Sequence, residues 1–370
     1  MGYNSRMPIR ARAHVYDMQP YRPGKTPEQL MQSLGLSELI KLSANENPLG
    51  ASPCVKEALV NALDIIHRYP DGACSVLREA LSEFYGLPPD HFTFGNGSDE
   101  LIHLFGVAYL EPGDGLMMGQ PSFVRYIASA QLNQATLQAI PLTPDFRHDL
   151  EAMANAITER TKLVYIANPN NPTGTIVSRA ELERFLERVP DHVLVILDEA
   201  YFEYADHPDY PNGLDDVRAG RNVVVFRTFS KAYGLAGLRI GYAVGRPELL
   251  DPVERVREPF NVNTLAQVAA AAALSDQAHV ARTRTLNREG LRMFSEACER
   301  LELRYVPSQA NFLLIEVGEH CAEVQQRLLQ RGILVRTGEV FGMPTFLRVN
   351  TGTPEQNARF VEALADALRE

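Results

Sequence analysis

Basic residues are in short supply in this sequence: 36 Lys and Arg stand against 46 Asp and Glu, giving the 370 residues a formal net charge of −10. A general nucleic-acid binder neutralises phosphates with a basic face, so this balance argues against that class of partner. Cysteine is scarce as well, at Cys54, Cys74, Cys298 and Cys321. No two form a C-x-x-C pair, and their separations suit neither a zinc site nor a disulfide framework. Small buried thiols in a reducing compartment are the expectation. No apolar run approaches the ~20 residues of a membrane span, which argues against a membrane partner. The first twenty residues carry Arg6, Arg10 and Arg12 without a following apolar run, and few serines. They read as neither a secretory signal nor a mitochondrial leader, so a cytoplasmic location is expected. In that setting the sequon Asn96-Gly97-Ser98 is a coincidence. The nine histidines include no H-x-x-x-H pair, and no metal site is expected.

What is present is an ordinary globular composition, 45% hydrophobic and 22% charged. At roughly 150 residues per domain the length suggests about two domains, with a core large enough to dispense with disulfides. Residues 1–45 read as an irregular arm, holding Pro8, Pro20, Pro23 and Pro27. A helix is expected to begin at Ser52-Pro53, serine as cap and proline at the first position. Val55, Leu59, Ala62, Leu63 and Ile66 then recur at helical spacing.

Short apolar runs follow at Phe92–Phe94, Leu163–Ala167, Val193–Leu197, Val223–Phe226 and Ile240–Val244. Amphipathic stretches separate them, such as the capping-box pattern Ser178-Arg179-Ala180-Glu181, which opens a helix through about Arg188. Continuous apolar strands alternating with helices predict an α/β fold with a largely parallel, doubly covered sheet. The alanine-rich run Ala266–Ala273 reads as a packed helix. Beyond it, Asn311–Val317, Ile333–Val335 and Phe346–Val349 read as strands of a smaller α+β unit, closed by a helix from Pro354. The expected division is an arm (1–45), a large domain (46–250), a linking helical region (251–275) and a small C-terminal domain (276–370).

Four motifs fall at expected strand ends. Gly95-Asn96-Gly97-Ser98-Asp99-Glu100 lacks the third glycine of a dinucleotide fingerprint, but small residues at a helix N-terminus can hold a phosphate through backbone N–H groups. Asn168-Pro169-Asn170-Asn171-Pro172-Thr173-Gly174 is a rigid loop after a parallel strand, where open sheets place ligands; a plain turn is the alternative. Asp198-Glu199-Ala200-Tyr201 brings a carboxylate out of an apolar strand, where it needs a cation or serves as a cap. Lys231 lies in Thr228-Phe229-Ser230-Lys231-Ala232-Tyr233-Gly234-Leu235-Ala236-Gly237-Leu238-Arg239, an apolar context with Arg239 eight positions on. Desolvation beside a second cation favours the neutral, nucleophilic amine; a solvated surface lysine is the alternative. Together these supply a phosphate nest, an asparagine, an acid and an amine, the groups that hold pyridoxal phosphate.

In this order the motifs resemble those of the fold-type-I aminotransferases, over nearly the whole chain. The resemblance implies a large domain with a mostly parallel sheet, a smaller α+β domain and pyridoxal 5′-phosphate as cofactor. Lys231 would carry the cofactor and then act as general base, and Asp198 would pair with the protonated ring nitrogen. Tyr201 and Asn171 would hydrogen-bond the ring hydroxyl. Gly97, Ser98 and Asp99 would hold the phosphate, with Ser230, Arg239 and, less centrally, Thr228. Phe123 matches the aromatic that stacks on the ring, where many relatives carry tyrosine. Tyr69 matches a tyrosine that reaches the neighbouring subunit's cofactor, which implies a homodimer with shared sites.

Within that fold the chain resembles the histidinol-phosphate aminotransferase family through Pro20-Tyr21-Arg22-Pro23-Gly24-Lys25, Leu42-Ser43-Ala44-Asn45-Glu46-Asn47-Pro48, Pro259-Phe260-Asn261-Val262-Asn263, Arg336 and Leu347-Arg348-Val349. By this resemblance Tyr21, Arg336 and Arg348 would bind a substrate phosphate, with Asn45 and Asn263 lining the pocket. The guanidinium fork suits phosphate oxygens, although a related arginine serves an α-carboxylate elsewhere in the fold. The implied reaction is amino transfer between L-histidinol phosphate with 2-oxoglutarate and imidazole acetol phosphate with L-glutamate. An aromatic amino-acid aminotransferase and a decarboxylase of phosphorylated amino acids remain open on the same cofactor residues. A transcription regulator built on this fold would need a helix-turn-helix, for which the arm is too short and too rich in proline.

Overall fold

The computed structural model describes residues 9–20 and 24–369. In chain order the strands are β1 (Ile40–Lys41), β2 (Phe92–Gly95), β3 (Gly115–Gln120), β4 (Thr136–Pro141), β5 (Thr161–Ala167), β6 (Leu194–Asp198), β7 (Val223–Thr228), β8 (Gly241–Val244), β9 (Tyr305–Val306), β10 (Phe312–Glu316), β11 (Ile333–Leu334), β12 (Arg336–Thr337) and β13 (Phe346–Asn350). A seven-stranded sheet has the order β2-β8-β7-β6-β5-β3-β4. The pairs from β7 to β4 are parallel, while β8 runs antiparallel to both its neighbours.

Strands β5, β6 and β7 are almost wholly buried, which is why they read as unbroken apolar runs instead of alternating ones. One apolar cluster covers each face: Val164, Val195 and Val225 point to one, Tyr165, Ile196 and Phe226 to the other. The alanine-rich helix Thr264–Ser275 packs in the first cluster through Ala266, Ala269 and Ala270, whose small side chains permit close approach. The Ser178–Glu181 capping box forms as expected and opens the helix Arg179–Leu186; an N-cap of this kind contributes about 1 kcal/mol. The helix Pro53–Ala62 also begins where expected, but the Ser52 hydroxyl makes no capping bond and lies 2.8 Å from Cys54 Sγ.

A second, four-stranded antiparallel sheet has the order β12-β13-β10-β9, and the helix Pro354–Arg369 follows it. All strands of the first sheet lie between residues 92 and 244, and those of the second between 305 and 350.

Two expectations need correction. The arm is not irregular throughout, because Pro27–Leu34 forms a helix. Thr26 and Gln29 close a capping box at its start, and Gly35 ends it in the left-handed conformation. Ile333–Leu334 joins neither large sheet; it pairs in parallel with Ile40–Lys41, bringing the arm back to the C-terminal part. Strands β3 and β4 also went unread; for β3, Gly115-Leu-Met-Met-Gly-Gln has no β-branched residue and, buried on both faces, no period of two.

Candidate active site

The carboxyl ends of the parallel strands meet at one edge of the large sheet, where open α/β sheets bind ligands. Registers Ala167↔Asp198 and Asp198↔Phe226 align the ends of β5, β6 and β7 there. The four motifs leave from this edge: Gly95–Glu100 after β2, which runs in the same direction as β7, the loop 168–174 after β5, Asp198 at the end of β6, and Ser230 and Lys231 beyond β7; Phe123 follows β3 there as well.

Asp198 is 5% exposed and forms no ion pair among the described residues. Its Oδ2 accepts from the Tyr126 hydroxyl at 2.6 Å and its Oδ1 from the Ala200 N–H at 3.2 Å. Burial pushes its carboxyl up to about 6 against the pull of those two donors. A desolvated acid of this kind is costly unless a cation completes the site. Lys231 is half-buried; its Nζ reaches the Ala44 carbonyl at 3.5 Å and lies 5.7 Å from the centre of the Tyr201 ring. Burial, then Arg348 and Arg239, push its amine down to about 8, outweighing the opposing carboxylates of Glu46 and Asp99.

Below the amine the helix Ser98–Tyr109 opens at the sheet edge, with Gly97 as N-cap at φ 80°. A Cβ on Gly97 would fall 2.5 Å from Arg239 Nη2, and one on Gly241 would fall 2.7 Å from the Ser98 nitrogen. Glycine at both positions therefore leaves open a cradle of N–H groups and guanidinium. Asp99 faces Arg239 at 3.6 Å and Arg125 at 3.8 Å, while its buried Oδ1 has no hydrogen-bond partner among the described residues. Ser230 is buried beside this turn, and its N–H donates to Thr228 Oγ1 at 3.1 Å. Thr228 in turn donates to the Ile240 carbonyl at 3.3 Å, so its hydroxyl is committed to the loop. An anion cradle, an acid without a cation and an amine without an acid match the phosphate, ring nitrogen and aldehyde of pyridoxal phosphate.

A second group of side chains faces this edge from the C-terminal sheet. Arg348, 5% exposed on β13, donates from Nη1 to Asn171 Oδ1 at 2.6 Å and from Nη2 to the Ser43 carbonyl at 3.1 Å. Its guanidinium lies between the Phe312 and Phe341 rings, 5.3 and 5.4 Å from their centres, and its buried Nε has no partner among the described residues. Arg336 stands directly opposite on β12. Burial, with Arg336 adding to it, pushes the Arg348 guanidinium down to about 10. Asn45, at φ 56°, donates from Nδ2 to the Tyr201 hydroxyl at 2.8 Å, and Asn350 Oδ1 accepts from its N–H at 3.0 Å.

Not every expected residue joins these groups. Asn263 is drawn into helix capping: Oδ1 accepts from Ala266 N–H at 2.8 Å and Nδ2 donates to the Leu238 carbonyl at 3.2 Å. These bonds hold Asn263 at the start of the helix Thr264–Ser275. Tyr69 is 84% exposed, its ring stacked on Phe260 with centres 4.9 Å apart. Tyr21 lies outside the described residues. Phe123 is half-buried, edge-on to Tyr126.

Two features escaped the sequence reading. Tyr126 lies one helical turn beyond Phe123, and only the fold shows that it meets Asp198. Arg227, 1% exposed, pairs with Glu199 at 2.7 Å and stacks 3.4 Å from the centre of the Phe202 ring, tying the ends of β6 and β7 together. The adjacency of Glu199 to Asp198 and of Arg227 to Thr228 was the available signal.

Fold and site define an aminotransferase that uses pyridoxal phosphate, of fold type I. Residues 37–364 match the family model described as aminotransferase class I and II, and the chain belongs to that family. It is 50% identical to the histidinol-phosphate aminotransferase of Moorella thermoacetica over 97% of this chain and 93% of that protein. The enzyme of the same name from Symbiobacterium thermophilum is also 50% identical, over 97% and 99%. Among solved structures, histidinol-phosphate aminotransferase from Sinorhizobium meliloti in complex with pyridoxal-5′-phosphate superimposes with a TM-score of 0.90 at 27% identity, covering 98% of this chain and 99% of that one. A Thermus thermophilus aspartate aminotransferase double mutant gives 0.83 at 27% identity, over 97% and 100%. Among the described residues no helix is long and apolar enough to cross a membrane.

Proposed function

We propose that the chain transfers the amino group of L-histidinol phosphate to 2-oxoglutarate, giving imidazole acetol phosphate and L-glutamate, reversibly. The observation that carries this reading is the Arg336–Arg348 pair, two cations in cross-strand register beside the cofactor edge. Like charges directly opposite in a sheet are unfavourable unless an anion lies between them. A phosphate dianion suits two guanidinium forks, and a dicarboxylate can use the same pair in the second half-reaction.

Bound pyridoxal phosphate supplies an electron-withdrawing ring that accepts the amino group and returns it. Lys231 would hold and move the proton at the substrate Cα; an amine held near 8 is partly neutral at neutral pH, as this task requires. Asp198 would pair with the protonated ring nitrogen. Tyr201 and Asn171 orient the ring hydroxyl; Gly97, Ser98, Asp99, Ser230 and Arg239 hold the phosphate, with Thr228 shaping the turn, and Phe123 covers the ring. Asn45, tied to the Tyr201 hydroxyl, lines the substrate side.

In this reading exposed Tyr69 reaches the site of a second copy, so the working unit is a homodimer, placed in the cytoplasm. The division into large (46–250) and small (276–370) domains joined by 251–275 belongs to the same proposal. Single-turnover bleaching of the holoenzyme's visible band tests it. Histidinol phosphate is expected to bleach the band far more efficiently than phenylalanine. Preference for phenylalanine overturns the phosphate reading and moves the enzyme to aromatic substrates, while bleaching by neither removes amino transfer.

A further inference from the structure

We propose that Tyr126 is a positioning residue for Asp198, fixing the aim of its carboxylate and keeping it ionised for the cofactor ring; this rests on the reading of Asp198 as the ring nitrogen's partner. The Tyr126 side chain is fully buried, and its hydroxyl donates to Asp198 Oδ2 at 2.6 Å. An ionised carboxylate has no proton to give, so the phenol is the donor. Burial and the neighbouring acid hold that phenol well above its usual range, and it keeps its proton throughout the working pH range.

The ring is held on two sides. Tyr165 from β5 stacks on it with centres 4.4 Å apart and planes at 18°, and Phe123 meets it edge-on at 5.7 Å. The Tyr126 N–H also donates to the Phe123 carbonyl at 3.2 Å, closing the turn that presents Phe123. One residue thus braces both the ring-covering phenyl and the acid. Nothing else on α-helical or loop segments gives Asp198 a side-chain donor among the described residues. The Ala200 N–H is the remaining contact.

Several titratable groups surround Asp198. Asp99, at the start of the helix Ser98–Tyr109, and Glu199 raise its proton affinity, and the hydroxyls of Tyr165, Tyr201 and Tyr210 also lie within its field. Against burial and these acids the Tyr126 hydroxyl is the largest opposing influence. Removing it should let Asp198 bind a proton at higher pH, in competition with the ring.

The test is the pH dependence of cofactor dissociation, read by visible circular dichroism after equilibrium dilution of the holoenzyme. Wild type, Tyr126→Phe, Tyr165→Phe and Asp198→Asn are compared between pH 5.5 and 8.5. The cofactor's own ionisations are common to all four and cancel in ratios of Kd. One hydrogen bond to a charged group corresponds to a midpoint shift of about one pH unit. The Tyr126→Phe to wild-type ratio of Kd is therefore expected to be up to about tenfold larger at pH 5.5 than at pH 8.5. Tyr165→Phe removes a hydroxyl from the same ring stack, one with no hydrogen-bond partner among the described residues, and is expected to follow wild type. A pH-independent Tyr126→Phe ratio, or an equal shift in Tyr165→Phe, overturns the proposal. If Asp198→Asn keeps the wild-type affinity and pH profile, the reading of Asp198 fails and the proposal with it. If Asp198→Asn loses affinity while the Tyr126→Phe ratio stays flat, the role of Tyr126 alone is refuted.

Discussion

Arg336 and Arg348 are directly paired residues on adjacent antiparallel strands, and among the described residues neither forms an ion pair with a carboxylate. Arg348 is buried and anchored to Asn171, whereas Arg336 is exposed. One guanidinium is set in place in advance and the other is free to close on an anion.

Replacing Arg336 with Gln should therefore lower kcat/KM for histidinol phosphate by about 10–100-fold, the worth of one or two charge-assisted hydrogen bonds. For phenylalanine the loss should stay within about threefold, because no phosphate is there to be held. Steady-state kinetics with both donors check this, and equal losses would refute a phosphate role for Arg336.

The Lys231 amine is held down to about 8 by burial first and by Arg348 second. Covalent capture of cofactor by protein stripped of it requires the neutral amine, so the capture rate should rise with pH and level off above about 8. Arg348→Gln removes a cation that disfavours the ammonium form, and the midpoint should then move to higher pH. Stopped-flow mixing with pyridoxal phosphate reads both profiles; a midpoint that moves down would contradict the electrostatic account. Lys231→Ala should abolish capture and reduce turnover by at least about 10²–10⁴-fold.

Gly97 combines φ 80° with a Cβ position 2.5 Å from Arg239 Nη2. Alanine there carries backbone strain of order 1–3 kcal/mol and displaces the guanidinium. Gly97→Ala should weaken pyridoxal phosphate binding by about 10–100-fold, measured by absorbance titration, with the far-ultraviolet circular dichroism unchanged. Unaltered affinity would show that the cradle does not hold the phosphate.

Glu203 has its Oε2 sealed from solvent without a hydrogen-bond partner among the described residues, and burial pushes its carboxyl up to about 7 despite Arg227. A carboxyl whose proton affinity rises on folding favours the folded state while protonated. That contribution is present below its unfolded value near 4.5 and is lost as pH climbs to about 7. Glu203→Gln should thus raise Tm at pH 8 by a few degrees relative to wild type and change it little at pH 4. Scanning calorimetry at the two pH values decides; a stabilisation confined to pH 4 would reverse the sign and discard the argument.

Much of the large sheet was legible because β5, β6 and β7 are buried on both faces, which forces apolar runs, and because their ends carry residues too polar for such strands. Asp198 and Lys231 stood out for that reason. Strand β3 did not, since Gly115, Met117 and Met118 are not strand-favouring residues and are placed by their neighbours. The arm helix was masked by the run of arm prolines, of which Pro27 in fact opens it. The capping role of Asn263 was not read, because an asparagine before a helix serves as a cap as readily as it serves a pocket. Tyr126 acts through a residue far off in sequence, and no local pattern marks that partner.

Asp198 ends a strand of the large sheet and Lys231 follows the neighbouring strand, whereas Arg336 and Arg348 belong to the other sheet. With the roles proposed for these residues, substrate preference and cofactor chemistry are separable targets for mutation. A lineage, or a protein engineer, can redirect the enzyme toward a new amino donor by altering two short strands while the machinery that activates it stays intact. The Arg348–Asn171 hydrogen bond is a seam between the two, and changes at Arg348 are the ones for which that freedom ends.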